Sequence, residues 1–120
     1  MPIYPFPRSA RIRKNFEFER VYAENAYAAD KALVIQACLN HTNQSRLGLS
    51  VSRRVGNAVV RNRWKRLIRE AFRVNRSKLP AGLDLVVRPR KGATANYAAI
   101  TKSLVALASR LKKRLEKTAP

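Results

Sequence analysis

Apolar residues recur along this chain at two periods, and the switches between them mark its elements. From Asn15 to about Ala23, Phe18, Val21 and Tyr22 fall three and four apart. That is the spacing of one helical face, and Asn15 is a residue able to cap its start. The run from Ala32 to Leu39 (ALVIQACL) is apolar over a strand's length, and Asn40 to Ser45 forms a polar turn. From Arg46 to Ser52 the pattern alternates, with Leu47, Leu49 and Val51 on one side and Gly48, Ser50 and Ser52 on the other. The spacing predicts that these two strands form a hairpin.

Gly56 then breaks the chain, and Asn57 stands where a helix cap is needed. From Ala58 to about Arg73, Val60, Trp64, Leu67, Ile68, Ala71 and Phe72 recur at helical spacing, which predicts an amphipathic helix with Trp64 in the core. Leu79 to Gly82 reads as a loop, Asp84 to Arg88 as a short strand and Pro89 to Ala93 as a basic loop. Tyr97, Ile100, Leu104, Leu107, Leu111 and Leu115 mark a long final helix with cations toward its end. The order helix, strand, strand, helix, strand, helix predicts an α+β fold, a small α/β sandwich with helices packed on a mixed sheet. Were the strands joined by the Ala58 helix parallel, the default crossover would be right-handed. Residues 1–13, with Pro2, Pro5 and Pro7, read as a flexible basic arm, and 14–117 as a single domain.

Composition narrows the function. A chain of 120 residues with 46% hydrophobic positions can build one modest core. Its 26 Lys and Arg against 7 Asp and Glu give a formal net charge of +19, which attracts phosphate backbones and opposes compaction. No long apolar run, signal peptide or lipidation pattern is expected to send it to a membrane. Cys38 is the only cysteine, so an intrachain disulfide and a thiolate cluster are excluded, and a cytoplasmic setting fits. The acids are scattered, and no phosphate-loop or dinucleotide fingerprint is present. Cys38 and His41 read as a buried strand residue and a solvated turn residue rather than a nucleophile and its base. The chain is unequipped for covalent chemistry of its own.

Binding features are richer. Arg53, Arg54, Arg61, Arg63, Lys65, Arg66, Arg69 and Arg73 crowd one segment, interrupted by one acid, Glu70. Solvated helix faces usually mix signs, whereas this one suits folded RNA or a DNA groove. Phe16, Phe18, Tyr22 and Tyr27 gather near the first helix, where they could fill a core or stack on single-stranded bases. A ribosomal-RNA-binding protein or assembly factor would share these features. A helix-turn-helix DNA binder fits less well, because a strand rather than a helix precedes the turn.

The central block is long and specific: Ser50-Val51-Ser52-Arg53-Arg54, Val55-Gly56-Asn57-Ala58-Val59-Val60, Arg61-Asn62-Arg63, then Lys65 to Arg73. It resembles the bacterial ribonuclease P protein subunit, with looser similarity at Phe18 to Tyr22 and Asp84 to Val87, from about Arg13 to Leu111 overall. The resemblance implies an auxiliary subunit of a tRNA 5′-processing endoribonuclease whose catalyst is its RNA, acting with Mg2+ ions held by that RNA. Implied partners are the catalytic RNA subunit and the 5′ leader of precursor tRNA, with no DNA and no membrane. Carried onto this sequence, Arg61, Asn62, Arg63, Lys65, Arg66 and Arg69 would bind the RNA subunit. Phe18, Tyr22, Gln36, Ser52 and Arg53 would bind the leader in a cleft between the first helix and the sheet. The family's crossover is left-handed, against the default. In the first strand the family often carries an aromatic residue where this chain has Gln36, a hydrogen-bonding group with no ring to stack on.

Overall fold

The computed structural model describes residues 6–118. Its elements are α1 (Asn15–Glu24), β1 (Ala26–Ala29), β2 (Leu33–Leu39), β3 (Arg46–Leu49), α2 (Ala58–Val74), β4 (Leu83–Pro89) and α3 (Tyr97–Thr118). The four strands form one mixed sheet in the order β1-β2-β4-β3. β1 and β4 both run antiparallel to β2, and β3 runs parallel to β4.

The expected hairpin of β2 with β3 does not form, because β4 lies between them. β4 is the most thoroughly buried strand, with only Arg88 exposed, so it gains most from a central position with a neighbour on each edge. The connection over 40–45 is long enough to step across one strand. It is pinned there: Asn40 Nδ2 donates to Gln44 O, and Ser45 Oγ donates to Pro80 O while accepting from Leu83 N. The true hairpin is β1 with β2. β1 carries no strand signal in the sequence, because Ala-Tyr-Ala-Ala has neither the β-branched content nor the polar alternation of a strand. Its turn is built by Asp30, whose Oδ1 accepts from Ala32 N and Leu33 N.

Two helix starts behave differently. Asn57 caps α2 as its position suggests, accepting from Val60 N at 3.0 Å. Asn15 does not cap α1; it is the first helical residue, and Glu17 Oε1 reaches back to the backbone N–H groups of Arg13 and Lys14. The strand expected over Arg46 to Ser52 ends at Leu49 and gives way to a 3-10 turn over Arg53–Val55.

The sheet is covered on both faces. Leu33, Ile35 and Ala37 of β2 and Leu85 and Val87 of β4 pack in one cluster with Trp64, Ile68, Ala71 and Phe72 of α2 and the apolar stripe of α3. The opposite face carries a smaller cluster, Ile12, Val21, Cys38 and Val86, with Phe18 against it, so α1 lies on that side. Residues 6–13 are docked rather than loose. Ile12 N donates to Leu47 O, closing the outer edge of β3, Ala10 and Ile12 are buried, and the Phe6 ring sits 5.4 Å from that of Phe72. The remainder of the proline-rich start, 1–5, lies outside the described residues.

Candidate nucleic-acid interface

The α2 helix separates its two chemistries cleanly. Trp64, Ile68, Ala71 and Phe72 are buried, while Asn62, Arg63, Arg66 and Arg69 are exposed and Arg61 and Lys65 are half-buried. Glu70 is ion-paired with Arg73 one turn away. Among the described residues, no acid lies within ion-pairing distance of Arg61, Arg63, Lys65, Arg66 or Arg69. Arg61 Nε is buried with no hydrogen-bond acceptor. Gly56, ahead of the helix, has φ 155°, and a Cβ there would lie 2.9 Å from the Val60 side chain. The turn that launches α2 therefore requires glycine.

On the α1 face, side chains that share a cross-strand row point the same way. One row runs Tyr27, Gln36, Val86, Gly48 across all four strands. The Phe18 ring lies directly on Gly48: a Cβ added there would meet Phe18 Cε1 and Cζ at 3.0 Å. Gly48 is thus the seat of the ring. Tyr22, one turn further along α1, is 40% exposed, and its ring centroid is 6.4 Å from that of Phe18. Gln36 is half-buried, and its Oε1 accepts from Arg88 Nη1 at 3.0 Å.

One residue of the aromatic group and two of the cationic group meet in one place. A cavity of about 330 Å³ is lined by Phe18 from α1, Lys65 and Arg69 from α2, Leu47 and Leu49 from β3, and the docked N-terminal segment including Arg11 and Arg13. Cationic helix and aromatic cleft are therefore continuous around the β3 edge. Ser52 and Arg53 are exposed after β3 and do not line this cavity. Arg11, Arg13 and Arg88 were not singled out by sequence. No periodic signal marks them; Arg11 and Arg13 line the cavity, and Arg88 is brought to Gln36 by the pairing of β2 with β4.

The α1 helix is held over the sheet by a buried ion network. Asp84 of β4 is fully buried and accepts from Arg46 Nε at 2.8 Å, Arg46 Nη2 at 2.6 Å and Asn40 Nδ2 at 2.9 Å, and it is paired with Arg20 of α1. Arg46 also reaches Glu17 of α1. Two α1 residues are thereby tied to β3 and β4. Burial pushes the Asp84 carboxyl up, but hydrogen bonds from Arg46 and Asn40 outweigh it and hold it below the ordinary aspartate value of 3.8. Glu17 behaves likewise: burial raises it, and Arg46 with the backbone N–H groups of Lys14 and Arg13 brings it below its ordinary value.

A carboxylate lowered by folding binds fewer protons in the folded state, so its stabilisation is present above the unfolded-state value and is lost as pH falls through the folded one. Urea midpoints should therefore decline as pH drops below about 4, and the Asp84→Asn variant should show a flatter decline. An unchanged pH profile in that variant would remove Asp84 from the account.

The chain is similar to known proteins in sequence and in fold. Residues 6–112 match the family model for ribonuclease P. The chain is 44% identical over 107 residues to the ribonuclease P protein component of Brevibacillus brevis, covering 88% of this chain and 85% of that one. It is 43% identical over 101 residues to that of Lachnoclostridium phytofermentans, covering 83% and 87%. Among solved structures, the RNase P protein of Staphylococcus aureus superposes with a TM-score of 0.71 at 37% identity, covering 88% of this chain and 94% of that one. The protein from Thermotoga maritima gives 0.76 at 32% identity, covering 83% and 96%. With nearly the whole described fold and the Arg61-Asn62-Arg63 block matched together, this chain belongs to the ribonuclease P protein family.

Proposed function

We propose that α2 docks on the catalytic RNA of ribonuclease P through Arg61, Asn62, Arg63, Lys65, Arg66 and Arg69, while Phe18, Tyr22, Gln36, Ser52 and Arg53 hold the 5′ leader of precursor tRNA. The observation that carries this reading is the shared cavity in which Phe18 meets Lys65 and Arg69. A single strand leaving the RNA-bound face would pass from cations to a stacking ring without crossing solvent. The described residues contain no group of three or more His, Cys, Asp or Glu placed to hold a metal ion. In this reading Mg2+ is held by the RNA, as in the family the chain resembles, and the protein's contribution is binding and orientation. The holoenzyme reading includes a cytoplasmic setting; no helix among the described residues is long and apolar enough to cross a membrane.

Reconstitution with the catalytic RNA tests the proposal. The protein should lower the Mg2+ needed for cleavage, because its cations offset phosphate repulsion. Stacking is worth roughly 1–3 kcal/mol per base, so Phe18→Ala should weaken precursor tRNA binding by about ten-fold while mature tRNA binding barely changes. Phe18 also packs against Ile12, Val21, Cys38 and Val86. A purely structural role would instead lower stability and weaken both RNAs equally.

A further inference from the structure

Tyr27 is 58% exposed on β1 and faces the α1 side of the sheet, since Ala26 and Ala28 on either side of it are buried against the other layer. Its cross-strand partner is Gln36, the position without a ring. Its backbone is fixed as well: Tyr27 O accepts from Arg114 Nη1 of α3 at 2.6 Å. Arg88 of β4, on the same face and exposed, donates to Gln36 Oε1. That bond commits the amide oxygen of Gln36 and leaves its two N–H donors for an acceptor on a bound group.

We propose that Tyr27, Gln36 and Arg88 form a second base-binding station of the leader cleft, in which the Tyr27 ring supplies the stacking surface that Gln36 lacks. A ring, a guanidinium and an amide side by side make a set suited to an unstacked nucleobase: a face to stack on, a cation for the adjoining phosphate, and donors for the base edge. Along the row from the Phe18 seat at Gly48 to Tyr27 there are three strand intervals of about 4.8 Å, about 14 Å in all. That is the length of roughly four stacked nucleotides at about 3.4 Å each. Phe18 lies at the α2 end of the row, so Tyr27 takes a leader nucleotide farther from the RNA-bound face. This station rests on the proposed leader reading.

The test uses the reconstituted holoenzyme with precursor tRNAs carrying leaders of about two and about eight nucleotides, and with mature tRNA. Tyr27→Ala should weaken the long-leader precursor by about ten-fold and leave the short-leader precursor and mature tRNA unchanged, while Tyr27→Phe retains wild-type affinity because stacking needs only the ring. Selective loss in Phe18→Ala without any in Tyr27→Ala would overturn the station and leave the leader cleft standing. Equal losses for all three RNAs in Tyr27→Ala would make Tyr27 structural and overturn it too. If neither Phe18→Ala nor Tyr27→Ala distinguishes precursor from mature tRNA, the leader reading itself fails and the station with it.

Discussion

Replacing Asp84 with alanine should lower the unfolding free energy by about 3 kcal/mol, read as a reduced urea midpoint at unchanged m-value. Breaking a buried ion pair by deleting one partner costs on the order of 3–5 kcal/mol, because the other charge is left in a poorly solvated place. The low end applies here. The Arg20 side chain is 51% exposed and can turn to water, and Arg46 keeps Glu17. A second consequence follows from geometry. Arg20 and Glu17 belong to α1, so without Asp84 the helix that carries Phe18 and Tyr22 is tied to the sheet less firmly. Precursor tRNA affinity should fall more than mature tRNA affinity in the same variant. A midpoint within experimental error of wild type would show that the network contributes specificity of placement rather than stability.

Removing two cations from the exposed face of α2, Arg63→Ala with Arg66→Ala, should weaken binding to the catalytic RNA by about fifty-fold at about 0.1 M salt. Each phosphate contact releases nearly one condensed counterion, worth roughly 1.2 kcal/mol at that concentration, and the salt slope should fall by nearly two units. Both side chains are exposed, so thermal unfolding should change by no more than about 0.5 kcal/mol. Salt titrations of the double variant and wild type, run together, decide it. Matching slopes would mean that this face does not meet the RNA. The ion pair of Glu70 with Arg73 makes Arg73 a poorer choice for the experiment, since its loss would also release a carboxylate.

The amphipathic period of α2 and α3, the Asn57 cap and the identity of Trp64 as core were legible in the chain, because each depends on residues within a few turns of one another. The cationic face was equally legible, since a helix that buries one stripe must expose the other. The family resemblance rested on the same contiguous block. Sequence did not reveal β1, whose alanines carry no strand signal, or the insertion of β4 between β2 and β3. Strand order is decided by which strand gains most from two covered faces and two neighbours, a comparison among segments up to fifty residues apart.

Local pattern thus determined the helices, the apolar core stripes and the charge that draws this protein to RNA. Tertiary structure alone decided what those pieces form together. Arg46 and Asp84, unremarkable in sequence, become the tie that holds α1. Phe18 finds its seat because Gly48, thirty residues away, has no side chain to displace it. Tyr27 comes to stand beside Gln36 because β1 and β2 pair in one register. Contacts of this kind are set by strand pairing and by packing across the sheet, and no period along a single chain encodes them.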